Sequence, residues 1–272
     1  MKFAGVGLER PRIMGVINVS PESFYKDSVA GDEEALIGMA TKMVADGAAF
    51  IDVGAKSTAP YLETQIPVEE EKRRALWAVR TIREHVDVPI SIDTTSAEVA
   101  EEAIKAGADI INDVTGLKGD RRMGEIAGEY GTPIIVCAHG DVSNLSNPLH
   151  TVTDLLKESI AIAERHGVEE VVVDPAVGFL RPEWPPWYEW DSSIIANLNL
   201  LKVLGRPILV GVSRKSFIGA ITGRGNPTER LPGSLAATAI AVINGASIVR
   251  THDVRETIDA IRVASFIRGF RP

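Results

Sequence analysis

The stretch Ile13-Met14-Gly15-Val16-Ile17-Asn18-Val19-Ser20-Pro21-Glu22 opens as a continuous apolar run and meets its first polar side chain at Asn18. A run apolar at successive positions fits a strand covered on both faces, as in a parallel sheet. The residues after Ile17 decide between two parallel architectures. A doubly wound nucleotide-binding sheet needs a glycine-rich phosphate turn after its first strand, and Asn18-Val19-Ser20-Pro21-Glu22 is not one. Further along, seven more short apolar runs appear, at 50–53, 89–92, 109–111, 134–137, 171–173, 208–212 and 247–249. Stretches of helical period alternate with them, at 33–45, 68–86, 97–106, 123–130, 152–166, 192–204, 234–244 and 255–266. Many end in glycine, as at Asp46-Gly47, Ala106-Gly107 and His166-Gly167, which is the helix C-terminal signal. Eight strands and eight helices in strict alternation predict an α/β chain folded as a single (β/α)8 TIM barrel, one domain over residues 1–272.

Composition agrees with that size of core. The chain has 272 residues, 45% hydrophobic and 24% charged, with a net charge of −8. Such a balance excludes a disordered chain. An acidic chain lacks the basic face that sequence-independent nucleic-acid binding requires, so no nucleic-acid partner is expected. There is no run of eighteen apolar residues, so no membrane span is expected. The start, Met1-Lys2-Phe3-Ala4-Gly5, leads into no apolar segment, so no signal peptide is expected. Cys137 is the single cysteine, which excludes an intrachain disulfide and makes a cytoplasmic location the expectation.

Ligands of such barrels gather at the C-terminal ends of the strands. The residues there are Asn18, then Asp52 with Ser57-Thr58 shortly after, Asp93, Asn112-Asp113, His139, Asp174, Ser213-Arg214-Lys215, and Arg250 with His252. A helix cap explains any one of them, but caps alone do not call for a polar residue after all eight strands. Asp93, Asn112 and Asp174 are short acceptors or amides suited to the donor-rich edge of an amino-pyrimidine, with charge-assisted bonds of about 1.5–3 kcal/mol each. On the far side, Lys215, Arg250 and His252 form a cationic cluster suited to a phosphate or diphosphate. Asn18 is a neutral oxygen ligand for a Mg2+ that keeps most of its waters and binds mainly through substrate phosphates. No His, Cys and carboxylate spacing suggests zinc. Ser213 and Ser216 have no clear His–carboxylate partner in sequence, which leaves a hydrolase triad unsupported.

These residues carry a resemblance. Met14-Gly15-Val16-Ile17-Asn18-Val19-Ser20-Pro21-Glu22-Ser23-Phe24 resembles the opening signature of the dihydropteroate synthases. Ser91-Ile92-Asp93-Thr94, Ile111-Asn112-Asp113-Val114, Asp174-Pro175-Ala176-Val177-Gly178-Phe179, Ser213-Arg214-Lys215-Ser216-Phe217-Ile218-Gly219 and Arg250-Thr251-His252-Asp253 are similar to later motifs of that family, in its order. The resemblance implies condensation of 7,8-dihydropterin-6-ylmethyl diphosphate with 4-aminobenzoate and release of pyrophosphate. It implies that Asn18 meets Mg2+ and the diphosphate. Asp93, Asn112, Asp174 and Lys215 would hold the pterin, with Phe179 packed near it. Arg250 and His252 would hold the diphosphate, while Phe24, Thr58, Pro60 and Ser216 surround the aromatic amine. Ser213 belongs to the same substrate-binding set, and Lys215, Arg250 and His252 would carry the catalysis.

Three segments depart from the family pattern. Gly54-Ala55-Lys56-Ser57-Thr58-Ala59-Pro60 has Ala59 where the family has an arginine, with Lys56 as the nearby replacement charge. Tyr25-Lys26-Asp27-Ser28 replaces the usual first-loop sequence. Residues 181–190 carry three of the four tryptophans in a proline-rich segment. That segment either packs on the barrel's own helices or serves as a lid, an arylamine subsite or an oligomer contact. All three departures fall on the amine side, so the expected acceptor is 4-aminobenzoate or a larger arylamine. A pterin-dependent methyltransferase working with a corrinoid protein is the alternative, and it would not need the basic motifs at 213–216 and 250–252. A non-catalytic pterin-binding subunit is a third reading. The small, apolar helix at 234–244 suits barrel burial, and a homodimer face formed with 255–266 would also fit. His139 either touches ligand or is an idle loop residue. The run 69–74 reads as an exposed charged face, Cys137 as core, and His85, His150 and His166 as surface.

Overall fold

The computed structural model describes residues 1–20, 29–56, 66–142, 147–182 and 185–270. Eight parallel strands make one sheet: β3 (Arg12–Asn18), β4 (Phe50–Gly54), β5 (Ile90–Asp93), β6 (Ile110–Asp113), β7 (Ile134–Cys137), β8 (Val171–Asp174), β9 (Leu209–Gly211) and β10 (Ile248–Thr251). Their order is β8-β7-β6-β5-β4-β3-β10-β9. A parallel bridge between Val173 and Ile208, with the Val173 N–H donating to the Pro207 carbonyl at 3.0 Å, joins the two ends and closes the barrel. The predicted (β/α)8 architecture is therefore the observed one.

Around it run α1 (Glu33–Ala45), α2 (Val68–Arg83), α3 (Ala97–Lys105), α4 (Arg122–Glu129), α5 (Pro148–Arg165), α6 (Trp187–Ala196), α7 (Ser216–Thr222), α8 (Leu231–Ile243) and α9 (Val254–Arg268). Local chemistry starts several of them. The Asp32, Ser96 and Asn147 side chains accept from backbone N–H groups three residues on, capping α1, α3 and α5. The stretch predicted as one helix over 192–204 is two elements. α6 stops at Ala196, where the Asn197 side chain bonds the Ser193 carbonyl at 2.9 Å and competes with the helical ladder. Leu198–Leu204 continues as a 3-10 helix, burying Leu198 and Leu201 on the three-residue repeat of that geometry.

Two elements were not legible in the sequence. α7 is only seven residues long, too short to show a period. At the N-terminus, β1 (Lys2–Phe3) and β2 (Val6–Gly7) form a hairpin around Ala4 and Gly5, both at positive φ, as a two-residue turn requires. The hairpin sits under the barrel. Phe3 packs on Phe50 with ring centroids 6.0 Å apart, and the Ala4 N–H donates to Glu170 Oε2 at 2.7 Å.

Strand alternation then positions the site. Met14, Phe50, Ile110, Val172 and Ile248 share one buried cluster with Phe3, which is the floor inside the barrel. Two residues later on the same strand face come Val16, Asp52, Asn112, Asp174 and Arg250. The outward residues between them, such as Ile51, Ile111, Val173 and Val249, pack in the two clusters formed with the helices. Both faces of each strand are covered, which is why the runs read as apolar.

Candidate active site

The C-terminal rim gathers most of the predicted residues. Asn18, Asp93, Asn112, Asp174 and Arg250 lie at or near the ends of β3, β5, β6, β8 and β10. Ser213, Lys215 and Ser216 come after β9, and His252 comes after β10. Phe179 lies after β8, outside it. Phe24, Thr58 and Pro60, with Ala59 and residues 25–28, lie outside the described residues.

Arg250 does not stand apart from the acids, as the sequence suggested, but is bonded to them. Its Nε donates to Asp52 Oδ2 at 2.7 Å, its Nη2 reaches the same oxygen at 2.6 Å, and Nη2 donates to Asp93 Oδ2 at 2.8 Å. Asn112 Nδ2 donates toward both Asp52 oxygens at 3.3 and 3.4 Å. Asp52 is fully buried and is the hub of this network. The sequence places it on the rim but gives it no part in binding; the signal for its hub position is its phase, two residues after the inward Phe50. Burial pushes the Asp93 carboxyl up to about 7; Arg250 opposes that shift, and Asp52, Glu71 and Asp113 add to it. Asp93 Oδ1 is buried with no hydrogen-bond partner among the described residues, an acceptor left for a ligand donor.

Across the mouth, burial also raises the Asp174 carboxyl, whose Oδ1 accepts the Ala176 N–H at 2.8 Å. Lys215 lies over the Phe179 ring, with Nζ 3.8 Å from the centroid. Burial lowers its ammonium to about 8, partly offset by Asp174. A flat ligand seated here would meet a hydrogen-bonding edge of carboxylates and an amide, next to an aromatic face and a cation. Asp113, by contrast, is spent on its own turn, accepting from the Thr115 and Leu117 N–H groups at 2.8 and 2.7 Å.

The predicted cationic cluster needs a correction at His252. Burial, then Arg250, Arg214 and Lys215, lower its ring to about 3, so the free site holds it neutral. Its Nδ1 lies 3.0 Å from Ser213 Oγ, and Ser213 Oγ lies 3.4 Å from Asp253 Oδ2. These three are close, yet they are not a triad. In a triad the histidine stands between serine and carboxylate; here the serine does. Asp253 is instead held by Arg214, through Nε at 2.9 Å and Nη2 at 2.7 Å. That pair fixes Arg214 in its left-handed conformation, φ 56°, at the turn that presents Ser213 and Lys215.

Where the amine is expected, Ser216 Oγ accepts from Arg181 Nη2 at 3.0 Å, and Arg181 stacks on Trp187 at 4.2 Å. Arg181 thus puts a guanidinium beside Ser216 that the sequence motifs do not reveal. Trp190 is fully buried in the core, so part of the aromatic segment is core after all. Elsewhere His139, His85 and His150 are exposed, His166 is half-buried, and Cys137 is core. The 69–74 run includes the exposed Glu70–Arg73 pair, but Glu71 turns inward and accepts from Thr94 Oγ1 at 2.6 Å.

Asn18 offers a metal one neutral oxygen. Gly54 leaves it room, since a Cβ there would stand 2.8 Å from Asn18 Oδ1. Among the described residues no three His, Cys, Asp or Glu side chains gather as a metal site.

Known proteins point the same way. The family model for pterin binding enzymes matches residues 14–252. The dihydropteroate synthase of Clostridium beijerinckii is 38% identical over 262 residues, covering 95% of each chain. A Coxiella burnetii dihydropteroate synthase, solved with pteroic acid, superposes with a TM-score of 0.87 at 31% identity, over 98% of this chain and 96% of that one. A Xanthomonas albilineans dihydropteroate synthase, solved with 4-aminobenzoic acid, gives 0.88 at 34% identity, over 99% and 97%.

Proposed function

Because the chain belongs to the dihydropteroate synthase family of pterin-binding enzymes, we infer that its barrel rim joins a dihydropterin-6-ylmethyl diphosphate to 4-aminobenzoate and releases pyrophosphate. The observation that carries this reading is the inward phase shared by Asp52, Asn112, Asp174 and Arg250 above one apolar floor, with the open oxygen of Asp93 beside them. The methyltransferase alternative has no such need for the cations at 215 and 250.

The residues divide the work. Asp93, Asn112 and Asp174 take the N–H edge of the pterin, with Phe179 and Lys215 against its ring. As the diphosphate leaves, negative charge builds on it, and Arg250 stabilises that charge. His252, neutral in the free site, would take up a proton from solvent when the diphosphate binds beside it and so add positive charge at the same end. Positive charge remains on the pterin methylene, which the buried carboxylates favour. The amine then attacks, and no side-chain nucleophile is needed, since positioning supplies much of the rate. The acceptor side is Ser216 with Arg181, to which the family resemblance adds Phe24, Thr58 and Pro60. A Mg2+ fits the single neutral donor Asn18 if it comes with the diphosphate and keeps its waters; when bound, it neutralises phosphate charge.

The barrel forms one domain in this reading, and a cytoplasmic location suits the lone, buried thiol of Cys137. No helix among the described residues is long and apolar enough to cross a membrane. A homodimer would use a groove of about 320 Å3 between α6, α7 and α8, lined by Ile195, Phe217, Ile221, Ala237 and Ile240. The α8 and α9 face expected from sequence is the other candidate, with Ile240, Val263 and Phe266 exposed on it. The deciding assay is pyrophosphate release from the pterin diphosphate, with 4-aminobenzoate and then with larger arylamines. Absence of release with every amine would refute the transferase reading.

A further inference from the structure

One buried carboxyl has no part in this chemistry. Asp191 lies on α6 beside Trp190 and is fully buried. Its Oδ1 accepts the Gly178 N–H at 2.8 Å. Its Oδ2 is buried with no hydrogen-bond partner among the described residues. A native structure keeps such an oxygen only where something compensates for it.

Gly178 leads to what that something is. It stands at φ 81°, and a Cβ there would come 2.7 Å from Lys215 Cδ and 3.4 Å from Lys215 Nζ. The next residue is Phe179, the ring under the Lys215 ammonium. The other left-handed residue of this segment, Ala176 at φ 64°, is held by Asp174 through its N–H. Two carboxyls therefore pin the two left-handed residues of the segment after β8, one from the strand and one from the helix behind it. What they hold between them is the Phe179–Lys215 wall.

We propose that Asp191 is a positioning residue for the pterin pocket: one oxygen sets the Gly178–Phe179 turn, and the other supplies negative charge facing the Lys215 ammonium. The proposal rests on the reading of Lys215 and Phe179 as pterin contacts. The charged or titratable groups facing Lys215 include Asp174 of β8, Asp191 of α6, Arg250 of β10, the Cys137 thiol of β7 and the ring of His252 after β10. Those facing Asp191 are Lys215 and Arg181. Burial lowers Lys215 to about 8 against the pull of Asp174 and Asp191. Burial raises Asp191 to about 6, so it is mostly ionised at neutral pH. Removing its charge must lower Lys215 further.

Asp191→Asn separates the two roles, because the amide oxygen can still accept from Gly178 while the charge is gone. Calorimetry on the full chain would use two probes: 6-hydroxymethyl-7,8-dihydropterin, which has no phosphate, and pyrophosphate. In Asp191→Asn, pterin affinity should stay within about threefold of wild type near pH 6.5 and fall by about tenfold by pH 8, as Lys215 loses its proton earlier. Asp191→Ala should weaken the pterin at every pH, and pyrophosphate affinity should hold in both. A wild-type pH profile in Asp191→Asn overturns the proposal, as does an equal loss of both probes. Lys215→Met tests the underlying pocket. If it binds pterin as wild type does, the pocket reading falls and the proposal with it. If it weakens and flattens the profile while Asp191→Asn does not, the proposal alone falls.

Discussion

Arg250 and Asp52 face each other across the barrel mouth, the guanidinium bonded through both Nε and Nη2 to one oxygen of a fully buried carboxylate. Removing one partner of a buried pair leaves the other charge stranded, at a cost of about 3–5 kcal/mol. Asp52→Ala should lose roughly that much in urea unfolding, and Asp52→Asn less, because the amide can still accept from Arg250. A change below about 1 kcal/mol in Asp52→Ala would mean that the pair does not form in solution.

The same guanidinium also occupies Asp93, one of the acceptors expected to meet the pterin. A pterin N–H donor at the open Oδ1 of Asp93 draws on the same carboxylate charge that Arg250 meets through Oδ2, and so loosens Arg250 toward the diphosphate. Pyrophosphate should therefore bind several-fold more tightly when a phosphate-free dihydropterin is already present, and the pterin more tightly with pyrophosphate, since such coupling is reciprocal. Asp93→Ala should remove the coupling. Equal pyrophosphate affinity with and without pterin in wild type would show that Arg250 does not switch partners.

His252 gives a pH signature. Its ring is held at about 3 in the free site, below the ordinary histidine value of about 6.5. An anion beside it favours the protonated ring, so pyrophosphate binding should take up protons, increasingly from about pH 7 to pH 5. Calorimetry in two buffers of different ionisation enthalpy reads that uptake, and His252→Gln should abolish its growth at low pH. Stability carries the same sign. Between about 3 and 6.5 the unfolded chain binds more protons at this residue, so its contribution rises with pH, and His252→Gln should flatten that slope.

Strand positions could be read from the chain because helices cover the outer face and the Phe50, Ile110, Val172 and Ile248 layer fills the inner one. Asn112, Asp174 and Arg250 could be read because each stands two residues beyond an inward apolar side chain. What could not be read depends on distant meetings. Arg250 finds its acids 157 and 198 residues away. His252 loses its charge first to burial and then to three cations, two of them brought by a turn about 40 residues earlier. Asp191 had a faint signal of its own, a carboxyl in the phase of Trp187, Trp190, Ile194 and Ile195 on α6.

The sequence leaves two acceptors, 4-aminobenzoate and a larger arylamine, on the ground of Ala59 and the aromatic segment. If the amine is larger than 4-aminobenzoate, Ala59→Arg should lower turnover with the larger amine while holding or raising it with 4-aminobenzoate, since the guanidinium adds charge where the diphosphate leaves. Deleting the whole 184–190 segment is a poor companion test, because Trp190 is core. Trp187→Ala, which removes the ring under Arg181, should give the same selective loss. Equal effects on both amines would leave 4-aminobenzoate as the acceptor.

Ile221 and Ile240 stand 59% and 48% exposed along the groove between α6, α7 and α8. Burying them is the simplest reason for two copies to meet there. Ile240→Asp should yield monomers in sedimentation at micromolar concentration, from a wild type that sediments as a dimer. A monomeric wild type would dispose of the dimer.

The hairpin beneath the barrel has a consequence at the opposite end. With Phe3 sealed on Phe50, the tube is dry at its base and opens to water only above. Charges set on such an insulating base cannot be screened from below, so the field of each spreads sideways to its neighbours before it reaches solvent. Asp52, Asp93, Asp174, Lys215 and Arg250 thus behave as one electrostatic body, in which a proton or ligand gained by any member is felt by all. No hydrogen bond or ion pair among the described residues joins residues 1–7 to them, yet these residues form the stopper that keeps this body intact.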